Sequence, residues 1–117
     1  MMLTFLSRHK RGHVACCQNG IIELVWDEVE IHLRPANFTR LIRLLEIGVV
    51  ELDLVEVHDG PICRLKQVKL GYFQLQLGRT RFDLTLADFL DLAEMARAAA
   101  RRLTCTGQAS PVQAMTV

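Results

Sequence analysis

The stretch that decides the fold is GIIELVWDEVEIHLRPANFTRL, residues 20–41, which returns in altered form as GYFQLQLGRTRFDLTLADFLDL, residues 71–92. Six of the 22 aligned pairs are identical, and most of the other apolar positions stay apolar. The identical pairs are Gly20/Gly71, Leu24/Leu75, Leu33/Leu84, Ala36/Ala87, Phe38/Phe89 and Leu41/Leu92. Because apolar spacing decides which face of an element is buried, both copies should fold alike. The sequence therefore predicts one structural unit written twice and packed around a pseudo-two-fold axis.

Each copy reads as a hairpin followed by a helix. Apolar and polar residues alternate on both arms, which are residues 21–26 and 29–34 in the first copy and 72–77 and 80–84 in the second. Alternation with a period of two is typical of an antiparallel hairpin with one buried face. Phe38, Leu41 and Leu45 then recur at three- and four-residue spacing, which predicts a helix with one apolar stripe.

The boundaries of the helices also have local signals. Pro35 suits the first helical position, where its missing N–H costs nothing. Gly48 is expected to end the first helix. Thr85, with Asp88 three residues later, resembles a capping box for the second helix, which is predicted to reach about Arg102.

Upstream of the hairpins lie further strand candidates, at residues 13–17, 49–57 and 62–70, with a turn predicted at 58–61. The fold class is therefore α+β: a tandem repeat of two (β)ββα units that form antiparallel sheet, with the helices packed on one face. One unit cannot bury its own apolar side, whereas two copies can. The pattern leaves open whether the strands form one continuous sheet or two.

Residues 1–103 are predicted to form a single globular domain, with unit one at about 13–48 and unit two at about 49–103. Residues 104–117 contain Gly, Ser, Pro and Gln without periodicity, so we expect a disordered tail.

Composition narrows the classes of function. The 117 residues carry a net charge of +1, which gives no general attraction to nucleic acid or to an anionic membrane. The apolar runs are shorter than the ~20 residues of a membrane span, and the N-terminus lacks the order of a secretory signal. Four cysteines form no regular framework. We expect a cytoplasmic protein with reduced thiols and no membrane partner.

One local cluster contains residue types that bind metals. Its members are His9, His13, Cys16 and Cys17, with Cys63 or His58 as a group from elsewhere in the chain. Imidazole and thiolate are the ligands that Zn²⁺ prefers. The spacing matches no standard zinc motif, and free cysteine also serves as a small core residue. A zinc site at His9, His13, Cys16, Cys17 and Cys63 and a purely structural role both stay open.

Motifs of catalysis are absent from the sequence. His58 and Asp59 form an adjacent imidazole–carboxylate pair, but no nucleophile accompanies them, and there is no G-x-S-x-G, phosphate-binding glycine loop or H-E-x-x-H. The basic residues Arg8, Lys10 and Arg11 lack interleaved aromatic residues, which argues for a solvated terminus rather than a nucleic-acid site. An enzyme with its site in a cleft between the units is the third hypothesis.

The outward sheet positions differ in charge between the copies. The candidate interface residues are Glu23, Glu30 and His32 in unit one and Arg64, Lys66, Tyr72, Arg79 and Arg81 in unit two. Opposite charges of this kind steer association and fix its register. The sequence therefore predicts a non-enzymatic adaptor or regulatory module, without a cofactor, that contacts another protein or a second copy of itself. The alternative is a protein that binds a metal ion, zinc in the first instance, or a small ligand through the N-terminal His/Cys cluster.

Overall fold

The computed structural model describes residues 3–51, 56–60 and 63–106, which form two antiparallel four-stranded sheets and two helices. The first sheet and its helix are β1 (Leu3–His9), β2 (Gly12–Cys17), β3 (Ile22–Trp26), β4 (Val29–Leu33) and α1 (Pro35–Val50). The second set is β5 (Glu56–Asp59), β6 (Cys63–Lys69), β7 (Tyr72–Leu77), β8 (Thr80–Thr85) and α2 (Leu86–Thr106). In each sheet the strands lie in chain order. The predicted α+β class is confirmed, and the strands are divided between two sheets.

The two predicted hairpins are present, and they use different turns. Between β3 and β4, Asp27 and Glu28 both have positive φ angles, of 51° and 71°. Positive φ at both central residues is the requirement of a type I′ turn. Between β7 and β8, Gly78 has a φ of 61° and Arg79 is outside the left-handed region, as a type II′ turn requires.

The N-terminal residues form a strand, where the sequence indicated a solvated arm. β1 pairs with β2 along its length, and the register shifts between Phe5 and Ser7. This irregularity places Leu6 in the core, with 2% of its surface exposed. A bulge interrupts the period-two alternation by which a strand is recognised in a sequence, which explains why β1 was missed.

Helix α1 begins at Pro35 as predicted, but Gly48 does not end it. The helix continues to Val50, so the first two residues of the strand predicted at 49–57 are helical. Of the predicted strand, Glu56 and Val57 lie in β5, which continues through His58 and Asp59 of the predicted turn. Residues 52–55 lie outside the described part of the chain.

Helix α2 starts with the predicted cap, because the Asp88 N–H donates to Thr85 Oγ1 at 3.2 Å. The helix ends at Thr106 rather than near Arg102, so residues 104–106 of the predicted tail are helical. Residues 107–117 lie outside the described residues. Neither described helix is long and apolar enough to cross a membrane.

The two helices are exchanged between the sheets. Helix α1 follows the first sheet but packs mainly against β5 and β6 of the second, with a smaller contact to β4. Helix α2 follows the second sheet but packs mainly against β1 and β2 of the first, with smaller contacts to β7 and β8. The helices also pack against each other, and one continuous cluster of buried residues joins all these elements. Trp26 belongs to this cluster, with 1% of its surface exposed. Neither half covers its own sheet alone.

Candidate functional site

The outer face of the first sheet holds a group of imidazole and carboxylate side chains, which we call the outer His/Glu cluster. It consists of His13 on β2, Glu23 on β3, and Glu30 and His32 on β4. Nε2 of His13 lies 3.0 Å from Glu23 Oε1, and Nε2 of His32 lies 3.7 Å from Glu23 Oε2. Nε2 of His32 lies 2.6 Å from Glu30 Oε2. The cluster thus brings together three residues that were predicted to form an interface, Glu23, Glu30 and His32, and one that was predicted to bind a metal, His13.

Glu23 is the centre of this cluster and its least accessible member, with 12% of its side chain exposed. The hydrogen bond with His13 holds the pKa of Glu23 below its usual range, and burial opposes this effect. The ring of Phe5 meets that of His13 edge-on, with the centroids 4.9 Å apart. Glu23 is therefore an ionised carboxylate in a position set by its neighbours.

The outer face of the second sheet carries mixed charges rather than the uniformly basic set expected from the sequence. Arg64 Nε lies 3.8 Å from Glu56 Oε2, and Arg64 also donates to Gln76 Oε1 at 2.7 Å. Arg81 Nε lies 3.5 Å from Asp83 Oδ1. The acidic partners lie next to these cations across or along the strands, so the net positive charge of this face is smaller than predicted.

The five predicted zinc ligands are spread over the fold. His9 lies at the end of β1, with its ring 5.3 Å from that of Trp26 and its Nε2 3.6 Å from Asp91 Oδ2 on α2. Cys63 is buried in β6 of the second sheet. Cys16 and Cys17 lie at the opposite end of β2 from His13.

Among the described residues, the set that brings three ligand atoms within 4.8 Å of one another is Glu23, Glu30 and His32. It contains none of the five predicted ligands. A zinc site at those five residues stays a prediction, and the geometry draws attention to a different set.

A cavity of about 530 Å³ lies where the end of the first sheet meets the start of α1 and the end of α2. It is lined by Thr4, Cys16, Cys17, Gln18, Gly20, Ile22, Pro35, Phe38, Thr39 and Leu103. This volume is within the range of pockets that hold small molecules, ~300–1,000 Å³. Burial, aided by the neighbouring Cys17, raises the pKa of the Cys16 thiol, which favours the neutral thiol over the reactive thiolate.

Two residues of the cavity wall have aromatic counterparts 51 positions later in the sequence. Phe73 and Phe89 lie 51 positions after Ile22 and Phe38, and their rings stack with centroids 4.8 Å apart. The cavity wall therefore carries one aromatic ring at these aligned positions, whereas the second half of the chain carries two.

The β6–β7 turn exposes an apolar surface, which we call the hairpin tip: Val68, Leu70 and Tyr72. Their exposed fractions are 52%, 89% and 48%. Lys69 Nζ lies 4.7 Å from the centre of the Tyr72 ring. Sequence reasoning named Tyr72 but missed Leu70, although leucine before glycine in a turn is a signal, since turns favour small polar residues.

The described residues therefore offer three candidate sites: the outer His/Glu cluster, the cavity and the hairpin tip. The cavity shares β2 and β3 with the outer His/Glu cluster, whereas the hairpin tip lies on the second sheet. Compared with models of protein families, with curated proteins and with solved structures, the chain matches none.

Proposed function

We propose that this protein acts through contacts with another protein, as an adaptor or regulatory module, and that the hairpin tip is its contact surface. The observation that carries the proposal is the exposure of Leu70, of which 89% is accessible to solvent. Leu70 contributes little to the hydrophobic core of this protein, and Val68 and Tyr72 extend the apolar area beside it. Contiguous apolar surface of this kind is typical of interaction sites.

The tip differs from the matching turn of the other half. Residues 51 positions earlier are Cys17, Asn19 and Ile21, and there Asn19 Oδ1 accepts a hydrogen bond from the Ile21 N–H at 3.1 Å. A polar side chain within that turn stabilises it by a hydrogen bond to the backbone, which is common in turns. The apolar tip therefore belongs to one half only, which favours a specific role over a general feature of the fold.

We infer that the chain is a tandem (β)ββα repeat with pseudo-two-fold symmetry. The register of strand pairing supports this, because β3 and β4 pair in the same register as β7 and β8. At one end of the hairpins, Ile22 pairs with Leu33 and Phe73 with Leu84. At the other end, Trp26 pairs with Val29 and Leu77 with Thr80. Both sets are 51 positions apart. Duplicated units can keep a shared core while their surfaces diverge, which leaves one half free to acquire an interface.

The charges near the tip indicate the chemistry of the partner. Lys66 and Lys69 flank the apolar residues on β6, and Arg64 and Arg81 lie farther along the same sheet face. A partner with an apolar pocket and a rim of carboxylates would match this surface. A second copy of the chain is the competing occupant, because the first sheet carries Glu23 and Glu30 on its outer face.

Leu70→Ser tests the proposal, with Val50→Ser as the matched control, because Val50 is 82% exposed and lies at the end of α1, on a different element from the tip. Proteins retained by the purified chain are measured by quantitative mass spectrometry, and self-association by light scattering. We expect Leu70→Ser to weaken the interaction about tenfold, as loss of a central apolar contact does, and Val50→Ser to leave it unchanged. The proposal is contradicted if the wild type, Leu70→Ser and Val50→Ser bind equally well, or if the wild type is a monomer that retains no partner.

The cavity supports a second candidate function, which is binding of a small ligand. Ile22, Phe38 and Leu103 offer apolar contacts, while the hydroxyls of Thr4 and Thr39 offer hydrogen bonds. A compact, mostly apolar molecule with a polar end would suit this lining. Cys16 and Cys17, which the sequence analysis assigned to a metal or small-ligand site, lie in the same wall.

Ile22→Phe tests this second function, because it places a ring where the other half has Phe73. The probe is the fluorescent apolar dye 1-anilinonaphthalene-8-sulfonate, and Ile22→Val is the control that leaves the cavity open. We expect dye binding to the wild type and to Ile22→Val, and its loss in Ile22→Phe with a cooperative thermal transition retained. Dye binding that survives in folded Ile22→Phe places the dye elsewhere.

A further inference from the structure

Side chains from adjacent strands converge on the carboxylate of Glu23, on the outer face of the first sheet. His32 lies directly opposite Glu23 in the β3–β4 register, and Glu30 lies one diagonal step away, opposite Val25. On the other side, His13 of β2 is the diagonal neighbour, paired with Val25. Residues at such positions on one sheet face are within side-chain reach. The backbone of three hydrogen-bonded strands thus fixes the spacing of the group.

We propose that Glu23, Glu30 and His32 bind one divalent first-row transition-metal ion, with Zn²⁺ as the reference ion, and that His13 orients Glu23 from behind. This site does not use the hairpin tip, and it differs from the N-terminal His/Cys cluster that the sequence analysis considered.

The three side chains lie within reach of one such ion. Nε2 of His32 lies 2.6 Å from one carboxylate oxygen and 3.7 Å from the other, and all three ligand atoms lie within 4.8 Å. Ligand atoms ~2.1 Å from a tetrahedral Zn²⁺ ion are ~3.4 Å apart, so small rotations of the side chains would place all three around one ion. Two carboxylates and one imidazole leave the fourth position to water, as in zinc sites with three protein ligands.

Glu23 has the support that a metal ligand needs. Its Oε1 pairs with His13 Nε2 at 3.0 Å, which leaves Oε2 on the side of His32 and Glu30. Hydrogen bonds of this kind fix the orientation of ligating side chains in metal sites. Two adjacent carboxylates also concentrate negative charge, which a divalent cation neutralises.

The second sheet lacks this ligand set. Residues 51 positions after His13, Glu23, Glu30 and His32 are Arg64, Gln74, Arg81 and Asp83. Arginine does not ligate metal ions, and its charge repels them. The second sheet still holds an exposed imidazole–carboxylate pair, in which Nε2 of His58 lies 2.9 Å from Glu56 Oε2. That pair lacks the other carboxylate and has Arg64 beside it, so it serves as a built-in control.

The experiment uses the full chain without a histidine tag, stripped with a chelator and titrated with Zn²⁺ by calorimetry. We expect one ion per chain, no measurable heat with Mg²⁺, and weaker binding at lower pH, because ligation displaces protons. Glu23→Gln and His32→Ala should each weaken Zn²⁺ binding about 100-fold. His13→Ala should weaken it about tenfold, the low end for loss of a group that orients a ligand.

Two controls distinguish this site from the other places where the chain could bind Zn²⁺. Glu56→Gln combined with His58→Ala should leave the affinity for Zn²⁺ unchanged, and so should Cys16→Ser combined with Cys17→Ser. Cobalt substitution adds an independent readout, since visible absorption of bound Co²⁺ should disappear in His32→Ala. Absence of Zn²⁺ uptake by the wild type overturns the proposal, as does uptake that persists in folded His32→Ala or that depends on the cysteines.

Discussion

Gly48 of α1 lies so close to Phe89 of α2 that a Cβ atom at Gly48 would stand 2.7 Å from Phe89 Cζ. The same atom would stand 2.6 Å from Leu65 Cδ2 of β6. Phe89 has little freedom to move away, because its ring stacks on that of Phe73. Helices from both halves and a strand of the second sheet therefore meet where there is no room for a methyl group.

Gly48→Ala tests this crowding. In an exposed helix the change would stabilise the protein by ~1 kcal/mol, since alanine has the higher helix propensity. Overpacking a close-packed core costs ~1–3 kcal/mol, so we expect a net loss of about 1 kcal/mol in the free energy of unfolding, measured with urea. Thr39→Ala, at an exposed position of the same helix, should change stability by less than about 0.5 kcal/mol. A Gly48→Ala protein more stable than the wild type contradicts the close contact.

The exchange of helices predicts that the halves fold only together. A fragment of residues 1–51 contains the first sheet and α1 but lacks α2, which covers β1 and β2. Its apolar sheet face would meet water, and an uncovered four-stranded sheet is expected to be unstable. The two fragments 1–51 and 52–117 should each lack a cooperative thermal transition by circular dichroism and regain it when mixed in equal amounts. Cooperative unfolding of monomeric 1–51 would show that α1 can cover its own sheet.

The sequence predicted those features of the fold that depend on neighbours along the chain. Both hairpins were found because alternation and turn residues are local, and Pro35 and Thr85 marked the starts of the helices for the same reason. Gly48 was assigned as a helix end because glycine commonly has that role. Here Leu65 and Phe89, distant in sequence, require its small size. An apolar stripe shows that a helix is buried but not against which sheet, so the exchange of helices had no local signal.

The same limit applies to the candidate sites. Alternation placed Glu23, Glu30 and His32 on one face, and the sequence analysis assigned that face to an interface. Only the strand registers bring His13 to Glu23 and place the four side chains in one cluster. Ile22 and Phe73 occupy the same place in the alternating pattern, so the sequence does not indicate that Ile22 lines a cavity whereas Phe73 stacks on Phe89.

Arg11 links three elements and should make stability depend on pH. It lies in the β1–β2 turn, donates to Asp27 in the β3–β4 turn and to Asp88 in the first turn of α2. The hydrogen bond from Arg11 lowers the pKa of Asp27 below its ordinary value of 3.8. A carboxyl group with a lowered pKa in the folded state stabilises that state above pH 3.8 and loses this effect as the pH falls through the folded pKa.

Arg11→Gln should therefore lower the urea midpoint at pH 7. The difference in midpoint from the wild type should narrow as the pH falls below 3.8 and through the folded pKa of Asp27, because the carboxyl group then becomes protonated in both the folded and the unfolded state. Added salt should also narrow the difference in urea midpoint at pH 7, because the guanidinium group and its partners are partly exposed. Arg8→Gln is the control, since its guanidinium group lies over the ring of Phe5 rather than beside a carboxylate. A difference in urea midpoint between Arg11→Gln and the wild type that does not change as the pH falls from 7 through the folded pKa of Asp27 would mean that Arg11 acts through packing alone.

The environment of Cys16 predicts its reactivity. Its thiol lines the cavity, and burial raises its pKa above the ordinary value of 9.0, with a further contribution from the adjacent Cys17. Because the thiolate is the nucleophile, alkylation by iodoacetamide should follow a pH profile whose midpoint for Cys16 lies above 9.0 in the folded protein. Peptide mapping by mass spectrometry measures the rate at this residue, and the urea-unfolded chain supplies the reference profile. A ligand in the cavity should slow the reaction further by covering the sulfur, whereas a molecule that binds at the hairpin tip should not. A folded-state midpoint at or below that of the unfolded chain would show that the Cys16 thiol is not desolvated, and that this wall of the cavity is open to water.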